Sequence, residues 1–150
     1  MRDYIDTDYL ILVSSDGNKS GLDIFRDRIK KNKWPIYDKT PQLLNVKVGK
    51  KVIFYIAGSG EKKQSFVGTA RIKRKINSEN NVSDPNQEFR KVLFYIEFEN
   101  FKFFNKSIQI KDHIENLDFI KNKKKYGLYF QGGICKIDEK AHNYIVSCSN

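Results

Sequence analysis

The chain has 150 residues, of which 39% are hydrophobic and 31% charged, and its formal net charge is +10 at pH 7. That length fits one domain, since two would each have a thin core, and the apolar fraction excludes a disordered chain. No apolar run approaches the roughly 20 residues that span a bilayer. The start of the chain is acidic where a signal peptide is basic and then apolar, so we expect a cytoplasmic protein.

The excess of basic side chains is the first functional indication. A basic surface attracts phosphates and speeds encounter with nucleic acids. Lysine, asparagine and isoleucine are all abundant, so an AT-rich genome is an alternative explanation of the charge. The charge therefore favours a nucleic-acid partner without establishing one. The two cysteines, Cys135 and Cys148, indicate no disulfide framework.

The first third of the chain predicts a strand, a helix and a loop. The apolar run over residues 9–13 predicts a buried strand. Ser20 is placed to cap a helix. Residues 34–37 are predicted to form a loop, because prolines at positions 35 and 41 exclude a regular helix. The apolar face of the predicted helix is formed by Leu22, Phe25 and Ile29.

The rest of the chain predicts more strands and two further helices. The elements are strands over 51–56, 66–75, 92–99 and 126–131, a polar loop over 77–87, a short helix over 110–120 and a closing helix capped by Asp138. Five or six strands with short helices at both ends predict an α+β fold built on a strongly curved mixed sheet or a small barrel. Residues 1–150 are predicted to be a single domain.

Catalytic and metal-binding patterns are scarce. His113 and His142 are the only histidines, and neither has a cysteine or an acidic pair at metal-ligand spacing. The glycines at 58 and 60 indicate a hairpin connection, since no Gly-Lys-Ser/Thr follows them. We therefore expect a non-catalytic protein that needs no metal and no cofactor.

Several aromatic residues lie outside the strand alternation. Trp34 stands between a basic helix end and a proline, and together with Tyr37, Tyr55 and Phe130 it could surround a hollow that holds a flipped base. Stacking contributes about 1–3 kcal/mol per base, whereas flipping a base out of a duplex costs a few kcal/mol, so phosphate contacts must supply the remainder. The alternatives are that Trp34 plugs a barrel mouth, that Tyr55 and Phe130 are core residues, and that the lysine run 121–125 is a solvated loop.

The order of these features resembles the EVE family. The resemblance rests on residues 46–55, which read Val-Lys-Val-Gly-Lys-Lys-Val-Ile-Phe-Tyr, on Val67-Gly68-Thr69-Ala70, and on residues 117–127, which resemble archaeal members. It implies a PUA-like fold related to the YTH domain. It also implies a pocket for a base, often methylated, between the end of the first strand and the loop after the first helix.

Carried over by position, the resemblance implies a site. Polar contacts are assigned to Ser14 and Ser15, and the pocket walls to Trp34, Pro35, Ile36, Tyr37, Tyr55, Phe130 and Gln131. The basic residues expected at the sugar-phosphate chain are Lys33, Arg71, Lys73, Lys121, Lys123, Lys124 and Lys125. The expected partner is DNA or RNA with a modified base, and no membrane. Two alternatives are an enzyme or enzyme subunit in nucleic-acid processing, and a protein-interaction module with a basic face.

Overall fold

The computed structural model describes residues 9–38, 40–58, 60, 62–78, 82–87 and 90–149. Its strands are β1 (Tyr9–Ser14), β2 (Trp34–Tyr37), β3 (Lys51–Ile56), β4 (Ser65–Asn77), β5 (Ser83–Asp84), β6 (Arg90–Gln109) and β7 (Ile134–Ile137). Its α-helices are α1 (Gly21–Lys31) and α2 (Glu139–Cys148). Short 3₁₀ segments lie at Leu43–Asn45, Pro85–Gln87, Ile110–Asp112, Ile114–Asn116 and Lys123–Phe130.

The strands form one mixed sheet in the order β2-β6-β4-β3-β1-β7, with β5 paired to β6. β1 and β3 are parallel, and the other pairings are antiparallel. The long pairing of β4 with β6 contains three register shifts. Such bulges bend a strand and increase its twist, so the two longest strands curl the sheet. This is the strongly curved mixed sheet that the sequence predicts.

Each face of the sheet carries its own core, because successive side chains of a strand point to opposite faces. In β3, Val52, Phe54 and Ile56 pack with Phe25 of α1 on one face. Ile53 and Tyr55 pack on the other face, against α2 and the segment 110–130. The alternation along this single strand therefore decides which aromatic residues can share a site.

The start of α1 is held tightly against the ends of β1 and β3. The Ser20 hydroxyl accepts a hydrogen bond from the amide of Asp23 at 3.2 Å, as the cap predicts. A Cβ added to Gly21 would lie 2.7 Å from the carbonyl oxygen of Ala57 and 2.8 Å from that of Ser14. Glycine is thus required there because the backbones approach too closely for a side chain.

The structure corrects three predicted elements in particular. Residues 34–37 form strand β2 and not a loop; the proline at 35 is accommodated because β2 is an edge strand. Residues 126–131 are not a strand but lie in and just after the 3₁₀ segment 123–130, and the missed strand is β7, which pairs with β1. The predicted helix over 110–120 is two 3₁₀ turns. In the predicted loop 77–87, residues 79–81 lie outside the described residues, and the rest includes the end of β4 and strand β5.

Candidate nucleic-acid interface

A cleft lies beside the end of β1, between β2 and the segment that leads into β7. Its cavity volume is about 50 Å³, so a base can enter only if side chains at its mouth move. Ser15 borders it after β1, residues 34–37 form one wall, and residues 131–133 form another. The other lining residues are Val13, Arg28, Thr40, Gln87, Arg90 and Ile134. The cleft thus lies between the end of the first strand and the segment after the first helix, where the sequence resemblance implies a pocket.

A buried charged network lies at this cleft. Arg28 is on the inward face of α1 and only 6% exposed. One guanidinium nitrogen lies 3.6 Å from a carboxylate oxygen of Asp84 and donates to the Tyr37 hydroxyl at 2.9 Å. That hydroxyl donates to the same Asp84 oxygen at 2.5 Å. The network therefore joins α1, β2 and β5, and each member satisfies a partner that would be costly to leave buried and unpaired.

Burial shifts the pKa values of this network without changing its charge at neutral pH. It lowers the pKa of Arg28, and the neighbouring Tyr37 and Asp84 oppose that shift; the group stays charged because a guanidinium keeps its proton in proteins. Burial raises the pKa of Tyr37, with Arg28 opposing the shift. Tyr37 therefore remains a protonated donor at neutral pH. A guanidinium has five N–H groups, and Arg28 is one of the residues that line the cleft.

The turn at residues 85–87 closes one side of the cleft. The side-chain amide of Gln87 donates to the carbonyl oxygen of Ser15 at 2.9 Å. The amide of Asn18 donates to the carbonyl oxygen of Asn86 at 3.1 Å. A Cβ added to Gly17 would lie 1.6 Å from that same oxygen. Glycine at this position is therefore what lets the turn dock against the end of β1.

The two aromatic rings of the β2 wall differ in what covers them. Trp34 is 2% exposed, its ring stacks on Phe54 with centroids 5.3 Å apart, and the Arg28 guanidinium lies 4.7 Å from its centroid. The Tyr37 ring is covered by the exposed guanidinium of Arg90, 4.2 Å from its centroid. An exposed arginine can move aside for a ligand far more easily than a packed phenylalanine can. Tyr37 is therefore the more accessible ring of the wall, at 9% exposed against 2% for Trp34.

The structure brings together only some of the residues predicted for the pocket. Ser14 is fully buried, and its hydroxyl donates to the carbonyl oxygen of Gly21 at 2.6 Å. Tyr55 and Phe130 stack on each other at 4.2 Å in the core on the other face of the sheet. These three do not line the cleft, and for Tyr55 and Phe130 the alternative of core packing matches the structure. Those that do line it are Ser15, Trp34, Pro35, Ile36, Tyr37 and Gln131.

Lys123, predicted to contact phosphate, is used within the chain itself. Its ammonium donates to the carbonyl oxygens of Ile114, Leu117 and Ile120 at 3.0, 3.2 and 2.9 Å. These are three main-chain acceptors of the 3₁₀ region, which has no regular ladder to satisfy them. Lys123 therefore holds the 110–130 region together, and its ammonium has no donor to spare for a phosphate in this arrangement.

The other predicted phosphate contacts are exposed but differ in their partners. Arg71 lies 4.0 Å from Glu99, and Lys73 lies 3.6 Å from Glu97. The Lys33 ammonium lies 4.5 Å from the centroid of the Tyr95 ring. Phosphate binding by these residues stays a prediction, as it does for Lys121, Lys124 and Lys125, which are exposed on the 3₁₀ segment and the turn before it.

Sequence reasoning missed the polar residues of the cleft. Arg28 follows Phe25 by three positions, which places it next to the apolar helix face and could have marked it as buried. Asp84, Gln87 and Arg90 lie in and beside a polar loop, and no local pattern indicates that this loop folds back onto the end of β1. Only the tertiary structure reveals these contacts.

Within the part of the chain that the structure describes, no three or more His, Cys, Asp or Glu side chains are arranged to hold a metal ion. Neither α-helix described here has the length and apolar character needed to cross a membrane.

Comparison with solved structures defines the class of fold, a curved mixed sheet of the PUA-like kind. Human THYN1 in complex with 5-methylcytosine containing DNA is similar with a TM-score of 0.60 and 12% identity, covering 95% of this chain and 98% of that one. Protein Atu2648 from Agrobacterium tumefaciens has a TM-score of 0.59 and 13% identity, covering 95% and 93%. The N-terminal domain of Staphylothermus marinus McrB has a TM-score of 0.50 and 9% identity, covering 93% of each chain.

The family is shown by a sequence profile. The profile of the EVE domain matches residues 9–148, and the chain therefore belongs to the EVE domain family. The predicted family and the predicted PUA-like fold are confirmed. No curated protein matches the chain.

Proposed function

We propose that this chain is a nucleic-acid-binding module that holds one flipped, modified base in the cleft beside β2. The observation that carries the proposal is the pairing, at one open cleft, of a stacking ring with a buried cation. The exposed guanidinium of Arg90 lies over the Tyr37 ring, which is 9% exposed, and the Arg28 guanidinium is fixed by Tyr37 and Asp84. An aromatic face and a fixed donor are what a base removed from its stack needs.

The energies show which contacts matter. Stacking on Tyr37 contributes about 1–3 kcal/mol, and a hydrogen bond from a charged donor contributes about 1.5–3 kcal/mol. Together these are similar to the few kcal/mol needed to flip a base. A buried methyl group adds only about 0.8 kcal/mol, or roughly a fourfold preference. Phosphate contacts therefore set most of the affinity, and the cleft sets the preference.

The family likeness supports this proposal, because THYN1 was solved with 5-methylcytosine containing DNA. That complex also suggests a probe for this chain. The probe is a fluorescein-labelled single-stranded DNA of about twelve nucleotides with one central 5-methylcytosine, and its match has cytosine at the same place. A single strand removes the cost of breaking base pairs, so the preference of the cleft is measured directly.

Fluorescence anisotropy is expected to show tighter binding of the methylated probe, by about fourfold or more. The logarithm of the affinity should fall with the logarithm of salt concentration by about 0.7 per phosphate neutralised. Equal affinity for the two probes would contradict base recognition. A response insensitive to salt would favour a protein partner, and chemical conversion of the probe would favour an enzyme.

A further inference from the structure

A second concavity, here named the lysine groove, lies on the surface near the cleft. It is lined by residues of the β3–β4 connection, the end of β6, the 3₁₀ turn Ile110–Asp112 and the 3₁₀ segment 123–130, and its volume is about 590 Å³. The lining residues are Gly58, Lys63, Gln64, Gln109, Lys111, Lys124, Tyr126 and Gly127. None of these lining residues is acidic, so the lining itself is positively charged, with the Asp16 carboxylate beside Gly58 at its edge.

The lysines of this groove have no ion-pair partner among the described residues, whereas the basic residues Arg71 and Lys73 of β4 do. Lys63, Lys111 and Lys124 come from three separate elements, all three are exposed, and none has an ion pair among the described residues. On β4, by contrast, Arg71 and Lys73 are matched with glutamates of β6. A strand of phosphates is therefore attracted to the groove more strongly than to the face of β4.

The backbone that carries Lys124 is held in place. The Tyr129 hydroxyl accepts hydrogen bonds from the amides of Lys121 and Asn122 at 2.8 and 3.0 Å. The Asn122 side-chain oxygen accepts from the amide of Lys125 at 3.3 Å. With the Lys123 ammonium bound to main-chain carbonyls, the lysine run is a fixed turn and not a flexible loop. It presents Lys124 to the groove without a large ordering cost on binding.

The opposite side of the groove is equally well supported. The Tyr55 hydroxyl donates to the side-chain oxygen of Gln64 at 2.9 Å, and the Gln64 amide donates to the carbonyl oxygen of Gly58 at 3.3 Å. The main-chain oxygen of Gln64 accepts from the amide of Ile110 at 2.9 Å. Tyr55 also stacks on Phe130. Tyr55 and Phe130, which do not line the cleft, therefore support the wall of the groove from the core.

The groove and the cleft are joined by two stretches of chain. Residues 124–127 line the groove, and residues 131–133, only a few positions later, line the cleft. Gly58, which follows β3, lines the groove and lies against Asp16, which follows β1. A Cβ added to Gly58 would come within 2.4 Å of the Asp16 carboxylate. Ser15, the residue before Asp16, lines the cleft. The cleft and the groove are therefore built on neighbouring stretches of the chain.

We infer that the lysine groove binds the phosphodiester chain that flanks the flipped nucleotide, as a single strand. This inference rests on the proposed function and adds the path of the strand. Three exposed lysines offer cations to phosphates, the partly buried Tyr126 ring lines the same groove, and Gln109 carries a side-chain amide there. A positively charged groove with an aromatic ring in its lining is the arrangement that binds single strands.

The test is a triple variant, Lys63→Gln/Lys111→Gln/Lys124→Gln, measured with the two labelled probes described above. Binding of both probes should weaken about tenfold at low salt, and the salt slope should fall by about 2, or 0.7 for each of three contacts. The ratio of the two affinities should stay as in the wild type, because the cleft is intact. Circular dichroism should show an unchanged melting temperature, since the three side chains are exposed.

The matched control is Lys30→Gln/Lys47→Gln/Lys102→Gln, which removes the same charge from exposed positions that line neither site. If this control weakens binding as much as the groove variant does, the groove has no special role and the inference is overturned. If the groove variant weakens binding but the wild type shows no preference for either probe, the base-binding proposal fails while the groove stands. If the wild type binds neither probe, both fail.

Discussion

Replacing Arg28 with methionine is expected to lower the free energy of unfolding by about 3–5 kcal/mol. The change leaves the Asp84 carboxylate buried without its cation, and it removes the donor that holds the Tyr37 hydroxyl. Chemical denaturation measures the loss. The double variant Arg28→Met/Asp84→Asn should lose less than the sum of its single variants, with a coupling of about 1–3 kcal/mol, because it leaves no unpaired charge.

The same helix offers a matched control. Arg26 pairs with Asp23 at 3.8 Å, and both side chains are more than half exposed. Arg26→Met should cost less than about 1 kcal/mol, since water screens exposed ion pairs. If Arg28→Met destabilises the protein no more than Arg26→Met does, then the buried network is not a stabilising feature of the cleft.

Replacing Tyr37 with leucine is expected to weaken binding of the methylated probe by about tenfold or more, because the stacked base loses about 1–3 kcal/mol. The preference over the cytosine probe should fall towards one. Fluorescence anisotropy measures both, at a temperature where the variant is folded. Tyr37→Phe is the matched control: it keeps the ring and should keep the preference, while the lost hydroxyl costs about 1 kcal/mol of stability.

A companion variant separates recognition from folding. Arg90 is exposed and lies over the Tyr37 ring, so Arg90→Ala should leave the melting temperature almost unchanged. We expect it to weaken binding of the methylated probe, because a guanidinium displaced from the Tyr37 ring by the base then covers the outer face of that base. Unchanged or tighter binding would contradict this role. For the Tyr37→Leu variant, a full preference for the methylated probe over the cytosine probe would mean that another ring stacks the base.

Much of the fold follows from patterns that are local in the chain. The alternation in 92–98 and 66–72 predicts β6 and β4, and Ser20 with the apolar face after it predicts α1. The resemblance assigns residues 34–37 to the pocket wall, as the structure has them, but the prolines predict a loop there where the structure has strand β2. The reason for that error is that an edge strand tolerates proline.

The cleft itself depends on contacts that no local pattern contains. Arg28 and Asp84 are far apart in the sequence, and their pairing requires the polar loop to fold onto β2. Tyr55 is a different case, because strand alternation was sufficient to place it. Phe54 packs with Trp34, so the next residue of β3 must point to the other face of the sheet. Lys123 resembles its neighbours in sequence, and only its three carbonyl partners set it apart.

The most direct test of base binding in the cleft is two-dimensional ¹⁵N NMR during titration with the methylated single strand. Trp34 is the only tryptophan, so its indole N–H gives one assigned signal next to the cleft. We expect this signal, the Gln131 side-chain amide and the Gly133 amide to shift together, and to shift further for 5-methylcytosine than for cytosine. If these signals stay fixed while Lys63, Lys111 and Lys124 respond, the chain binds only the backbone and no base enters the cleft.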